Sequence, residues 1–352
     1  MHKNETDLGR TSAYDYDLPK EQIAQNPVEP RDASRLLVID KKTGEREHKH
    51  FRNIIDYLNA GDLLVLNDTR VLPARLYGKK KGRETQVEIF VLRPTSEGGR
   101  EWIGLVRPGK KLPEGTLVTL DGGTDLQIGG RLEDGLRTIH FPEDTDPFDV
   151  IHRVGETPLP HYITESTADP ERYQTVYAKL EKENSVAAPT AGLHFTQELL
   201  AMLEAKGVQR AYVTLHVGLG TFRPVKSENI AEHIMHSELC EVPEETARKI
   251  AETKKNDGRV VAVGTTVVRT LESFAKEYGE IKPGVLDTRL FISPGFEFKI
   301  IDALVTNFHL PKSTLLMLVS AFGGYDLIMK TYREAVTENY RFFSFGDSML
   351  IH

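Results

Sequence analysis

Between residues 71 and 152 the chain consists largely of short alternating apolar runs, and this stretch constrains the fold more than any other. Val87-Glu88-Ile89-Phe90-Val91-Leu92 and Trp102-Ile103-Gly104-Leu105-Val106 are examples. Turn signals separate the runs: Gly98-Gly99, Pro108-Gly109, Gly122-Gly123, Gly129-Gly130 and Asp134-Gly135. No long helical pattern interrupts them. Short strands at such close spacing specify a small antiparallel barrel or sandwich.

The flanking sequence has a different rhythm. Residues 36–39 and 63–66 are unbroken apolar runs of strand length, and 51–58 carries apolar side chains at 51, 54, 55 and 58, a helical spacing. Beyond Pro160, helical patterns at 196–206, 243–253, 266–278, 313–322 and 325–339 alternate with apolar strands at 209–216, 260–263 and 303–306. That alternation predicts a mostly parallel sheet covered by helices. The expected fold class is therefore an α/β main domain with an inserted all-β domain, a small barrel. Its expected parts are 13–70, the insert 71–152, and 153–352, with 1–12 as a disordered lead-in. A chain of 352 residues suits two domains.

Composition narrows the function. One cysteine, Cys240, allows no intrachain disulfide, as expected in a reducing cytosol. The polar start lacks the apolar core of a signal peptide, and no apolar run reaches the ~20 residues of a membrane span. The expected location is cytoplasmic. A formal charge of -7 argues against a protein that coats nucleic acid unspecifically. Two local basic runs, at 41–50 and 79–83, remain compatible either with one folded RNA or with solvated turns and edge strands.

The chemistry-bearing loops follow apparent strands, where open α/β sheets bind ligands. Asn67-Asp68-Thr69-Arg70 sets an acid beside a guanidinium, and an Asp-capped turn fits it equally well. Residues 187–196 combine small residues around Thr190 with His194, and end on Thr196, a suitable helix N-cap. Residues 214–224 contain Gly218 and Gly220 as G-x-G without the full dinucleotide fingerprint, followed by Arg223. In 232–238, His233, His236 and Glu238 lie close together. Their spacing is not H-E-x-x-H, so no metal is expected, and acid/base work by His236 with Glu238 suits the segment better. In an extended segment, 236 and 238 share a face. Thr265 and Thr266 open a helix whose N–H groups favour anions, with Arg269 one turn in, and either Thr also suits the cap. Asn307, His309 and Lys312 occupy a loop of the same kind, which is not a P-loop. Arg341 precedes Phe342, Phe343 and Phe345, which read either as a base-stacking surface or as a C-terminal core strand.

Taken in order, these words resemble one family closely, the S-adenosylmethionine:tRNA ribosyltransferase-isomerases of queuosine biosynthesis. The resemblance rests on SRLLV at 34–38, GDLLVLNDTRVLPAR at 61–75, AAPTAGLHFT at 187–196 and HVGLGTFRP at 216–224. It continues through MHSE at 235–238, VGTTVVR at 263–269, TNFHLPKST at 306–314 and RFFSFGD at 341–347. It implies an α/β domain with an inserted barrel. It also implies transfer of the ribosyl part of S-adenosylmethionine onto the aminomethyl group of a 7-deazaguanine at the tRNA wobble position. Epoxyqueuosine in tRNA would form, and adenine and methionine would leave. The implied partners are S-adenosylmethionine, a consumed substrate rather than a cofactor, and the tRNAs for Asp, Asn, His and Tyr. No cofactor, membrane or second subunit is called for.

Such a reaction needs a base, for which His236 with Glu238, or Asp68, are candidates, and an acid at adenine, for which His194 or His309 are. The methionine carboxylate is expected near Thr265, Thr266 and Arg269. Arg70, Thr190, Gly218, Gly220, Arg223, Asn307, His309, Lys312 and Arg341 complete the expected binding set. Three alternatives make different predictions: an ordinary methyltransferase, a non-enzymatic RNA-binding protein, and a metallohydrolase built on 233–238.

Overall fold

The computed structural model describes residues 6–96, 98–218, 225 and 227–352. The chain divides into two compact units. The larger comprises residues up to Thr69, His161–Lys179 and Pro189–His352; the smaller comprises Arg70–Pro160 and Leu180–Ala188.

The smaller unit is a closed six-stranded antiparallel barrel, in the order Arg137–His140, Glu101–Arg107, Gln86–Pro94, Arg75–Lys80, Thr116–Leu120, Asp125–Arg131. Alternation drives its formation. In Glu101–Arg107, Trp102, Gly104 and Val106 point inward while their neighbours are partly or fully exposed. Trp102, Ile89, Val91, Leu126 and Ile139 are fully buried in its core. Closure removes the open edges of the sheet. The unit is wider than the expected 71–152, because Leu180–Ala188 also belongs to it. Glu183–Ser185 pairs with Arg70–Val71 as a two-stranded ribbon.

The larger unit is built on nine strands in the order Gly284–Thr288, Glu238–Val242, Gln209–Leu215, Leu63–Asn67, Val260–Val263, Ala303–Asn307, Ser348–Ile351, Arg35–Ile39, Arg46–His50. Gln209–Leu215, Leu63–Asn67, Val260–Val263 and Ala303–Asn307 run parallel. The sheet as a whole is mixed rather than mostly parallel. Ser348–Ile351 is antiparallel to Ala303–Asn307, and Glu238–Val242 is antiparallel to Gln209–Leu215. Leu63–Asn67, Val260–Val263 and Ala303–Asn307 are buried at every position, as strands covered on both faces must be.

The helix Thr265–Tyr278 buries Val267, Val268, Leu271 and Phe274. Each large apolar side chain of this kind contributes roughly 1.5–3 kcal/mol. Thr196 caps Gln197–Ala205 by accepting from Leu199 N, and Ser313 caps Thr314–Gly323 through Leu316 N, each cap worth about 1 kcal/mol. Thr265 and Thr266 do not cap their helix: Gly264 holds that position with φ 91° and no side-chain cap. The apolar spacing at 51–58 produces a 3-10 helix, Phe51–Asp56.

Two further expectations are corrected. The described part of the lead-in is ordered: Thr11 is nearly fully buried and opens a 3-10 turn. Thr11 N donates to the Glu228 carbonyl, and Ile230 N donates to that of Gly9. Nor do Phe342, Phe343 and Phe345 form a strand. Phe343 has φ 74°, and the C-terminal strand begins at Ser348. Phe342 instead packs on Phe308 and Tyr16, ring centroids 5.1 and 6.1 Å away.

Candidate active site

The four parallel strands end on one edge of the sheet, and the loops they emit carry most of the expected site residues. Val213 lies opposite Asn67, and Val263 opposite Val305, so the turns after them are neighbours. Two antiparallel strands begin at the same edge. Cys240 pairs with Leu215, which places Glu238 beside the Gly218 turn. Ser348 pairs with both Asn307 and Leu36, which brings the 341–347 loop and Ser34 there too.

Asn67 ties this edge together. Its amide donates to the Leu215 carbonyl and accepts from Leu215 N, both at 3.1 Å, and also accepts from Thr69 N at 3.2 Å. Asp68 is buried; it accepts from the Thr214 hydroxyl at 2.7 Å and pairs with Lys179 at 2.9 Å. Those two partners fix its position inside the edge. Beside it, His216 Nδ1 lies 2.9 Å from the Thr69 hydroxyl. Sequence reasoning left His216 out of the site. Its one signal was position, directly after a parallel strand.

A small cavity opens at Glu238, lined by His233, Met235, His236, Arg269, Thr314 and Leu315 as well. His236 and Glu238 thus share a face, but their environments differ: His236 is exposed, Glu238 buried. Glu238 bonds to Arg269 Nη1 and accepts from Gly218 N at 3.0 Å. A carboxylate engaged on both oxygens fixes the groups that it binds. Arg269 Nε donates to the Leu290 carbonyl at 3.2 Å, while its buried Nη2 has no protein partner. That leaves an unused fork donor on a residue lining the cavity. Burial and the nearby His236 lower the His233 pKa. Among the described residues, no group of three or more His, Cys, Asp or Glu is arranged to hold a metal ion.

At the start of the long helix, Thr265 is buried and the Thr266 hydroxyl oxygen is buried without a partner. Ala191, in the 3-10 turn Thr190–His194, packs against Gly264: a Cβ there would lie 3.6 Å from that of Ala191. Thr190, half-buried, opens that turn.

The two candidate acids are buried neutral histidines. His194 stacks on Phe51 with centroids 4.9 Å apart, and its Nδ1 lies 2.7 Å from the Ser34 hydroxyl. Burial pushes its pKa down to about 4, against the opposing pull of Asp347 and the Asn307 amide, while Arg341 and Arg172 add to the fall. Burial pushes His309 to about 3; its Nε2 lies 2.9 Å from the Thr306 hydroxyl, and its N–H donates to Tyr332 Oη. Both rings are therefore neutral near pH 7, and a neutral imidazole keeps one N–H to donate. Asn307 donates to the Phe343 carbonyl at 2.9 Å, and its buried Oδ1 has no partner.

Of the other expected binders, Lys312, Arg70 and Arg341 do not line the Glu238 cavity. Lys312, with φ 58°, pairs with Asp15 at 2.7 Å at the surface, which raises its pKa. Arg70 belongs to the barrel unit, 3.3 Å from Glu183. Arg341 pairs with Asp347 at 3.4 Å. Gly220 and Arg223 lie outside the described residues.

The family model for queuosine biosynthesis proteins matches residues 11–351. The chain belongs to this family, that of the S-adenosylmethionine:tRNA ribosyltransferase-isomerases. The enzyme of that name from Thermotoga maritima is 56% identical over 342 residues, covering 97% of this chain and 99% of the relative. Its counterpart from Thermotoga petrophila is 55% identical over the same share of each. A crystal structure of S-adenosylmethionine tRNA ribosyltransferase from Thermotoga maritima covers 97% of this chain and 100% of its own, with a TM-score of 0.57 and 47% identity. The chain is accordingly an enzyme, a transferase of queuosine biosynthesis. Among its described residues no helix is long and apolar enough to cross a membrane.

Proposed function

We propose that the chain transfers and isomerises the ribosyl moiety of S-adenosylmethionine onto 7-aminomethyl-7-deazaguanine at the tRNA wobble position. The product is epoxyqueuosine in tRNA, and adenine and methionine leave. S-adenosylmethionine is a substrate consumed in each turnover, and no separate cofactor takes part. The acceptors are the tRNAs for Asp, Asn, His and Tyr, and the enzyme acts as a cytoplasmic monomer. The observation that carries this reading is 56% identity to a ribosyltransferase-isomerase over 97% of the chain.

The site supplies groups for the chemistry. Arg269 offers its free Nη2 to the methionine carboxylate, a charge-assisted bond in a largely water-excluded place. Met235 and Leu315 give the same cavity an apolar side for the thioether chain. His236, exposed and lining that cavity, is the base. His216, 2.9 Å from Thr69, orients the nearby edge, and Asp68 keeps Lys179 and Thr214 in place.

The test is a mass-spectrometric turnover assay with S-adenosylmethionine and tRNA carrying the aminomethyl-deazaguanine base. Adenine and methionine should appear with a matching gain in nucleoside mass. Release of S-adenosylhomocysteine instead would make the protein a methyltransferase and sink the reading.

A further inference from the structure

A second, small cavity lies at the same sheet edge near the start of Ser348–Ile351. Its polar wall is Arg31, Arg172, Arg341, Ser34, Ser344 and His194, and none of its lining residues is acidic. The proposed chemistry at the Arg269 cavity makes no use of Arg31 or Arg172.

No carboxylate lines this cavity. Among the described residues, Arg31 donates to the carbonyls of Leu193 at 3.2 Å and Glu171 at 3.4 Å. Burial and the adjacent Arg172 lower its pKa to about 10, so it stays protonated at neutral pH. Arg172 bonds to Glu29 through Nε and to the Val28 carbonyl through Nη2 at 2.9 Å, but its buried Nη1 has no partner. Arg341 pairs with Asp347 at 3.4 Å and donates to the Asn26 carbonyl at 3.2 Å. The carboxylates of Glu29, Glu171 and Asp347 act on these guanidiniums from outside the cavity lining, and Glu29 is two-thirds exposed. Neighbouring cations repel, and an anion bound between them relieves that repulsion. Arginine forks fit phosphate oxygens in particular.

We propose that Arg31, Arg172 and Arg341 form a pocket for one backbone phosphate of the RNA substrate. This rests on the tRNA reading above. His194, neutral and buried with a free Nε2, closes the inner wall without adding charge. Arg341, one-third exposed, stands at the mouth.

The test is the salt dependence of binding of an unmodified tRNA(Tyr) transcript, with turnover of S-adenosylmethionine measured in parallel on tRNA carrying the aminomethyl-deazaguanine base. Arg172→Ala should weaken tRNA binding about tenfold and lower the slope of log K against log salt by about one. Its KM for S-adenosylmethionine should not change. Arg172→Lys keeps the point charge and should restore the slope without restoring all the affinity. Arg341→Gln should lower the slope as well, which guards against a folding defect particular to position 172. A folded Arg172→Ala protein with wild-type affinity and slope overturns the proposal. So does a raised KM for S-adenosylmethionine at unchanged tRNA affinity, which would give the pocket to the amino-acid carboxylate. Wild-type turnover with an unaltered slope in the variants removes only the pocket. Salt-dependent loss of binding in the variants, with no turnover by the wild type, removes only the ribosyl-transfer reading.

Discussion

Arg269 and Glu238 form a buried ion pair between the second turn of a helix and the first residue of a strand. Glu238 uses its other oxygen on Gly218 N, so one carboxylate fixes both the guanidinium and the start of the glycine-containing loop.

Removing either partner has separable consequences. Glu238→Ala leaves a buried guanidinium without its counter-charge, and should destabilise the protein by about 3–5 kcal/mol in urea unfolding. Arg269→Lys keeps the charge but loses the fork. It should raise KM for S-adenosylmethionine by about tenfold or more, since one lost charged contact is worth at least ~1.4 kcal/mol. An unchanged KM in a folded Arg269→Lys protein would place the methionine carboxylate elsewhere.

Stability should depend on pH through His194. Its pKa falls from the ordinary 6.5 to about 4 in the folded protein. Between those values the unfolded chain binds more protons than the folded one. The stabilisation is therefore complete above pH ~6.5 and is lost as pH falls toward about 4. The shift corresponds to roughly 3 kcal/mol at most. His309, with a pKa of about 3, acts in the same direction. Urea midpoints measured from pH 4.5 to 7.5 should rise with pH, and His194→Gln should flatten the rise. A midpoint independent of pH in this window would mean these rings are hydrated.

Much of the barrel was legible because strand alternation is a local signal, as at Gln86–Pro94, where every second residue from Val87 to Val91 is buried. The parallel strands were legible because a strand covered on both faces has an unbroken apolar run. Helix type was less so: the spacing at 51, 54, 55 and 58 fits an α-helix and a 3-10 helix alike. Residues 9–12 gave no sign of order, since their long-range partners lie near 228, more than 200 positions away. The same holds within the site. Strand ends marked Asp68, Gly218, Thr265 and Asn307, but no local pattern reveals that Glu238 is committed to Arg269, 31 residues on. Arg31 and Arg172 sit in loops without a motif, and only the fold brings them together.

Gly192 and Tyr177 should be coupled. A Cβ at Gly192 would lie 2.0 Å from Tyr177 Oη and 2.9 Å from Thr175 Cγ2. Tyr177 Oη is buried and makes no hydrogen bond. Gly192→Ala should therefore destabilise by about 1–3 kcal/mol through overpacking. Tyr177→Phe should be nearly neutral alone, because no bond is lost. The double variant should recover part of the loss, and a thermal-melt double-mutant cycle measures the coupling. Strict additivity would show that the turn at Thr190–His194 moves away instead.

The division of labour between His236 and His216 can be resolved by kinetics. His236 is exposed and lines the Arg269 cavity, so it can meet the bound substrate. His216 is tied to Thr69 and lies among residues that hold the strand ends in register. A general base contributes typically 10²–10⁴-fold to the chemical step. His236→Ala should thus lower the single-turnover rate by about that factor, while the Kd for S-adenosylmethionine changes little. His216→Ala should act mainly through binding and alter the rate by roughly tenfold or less, as expected of a group that orients rather than transfers a proton. The reverse pattern, a rate collapse in His216→Ala and near-wild-type chemistry in His236→Ala, would move the base to the end of the Gln209–Leu215 strand and leave the Arg269 cavity a binding site alone.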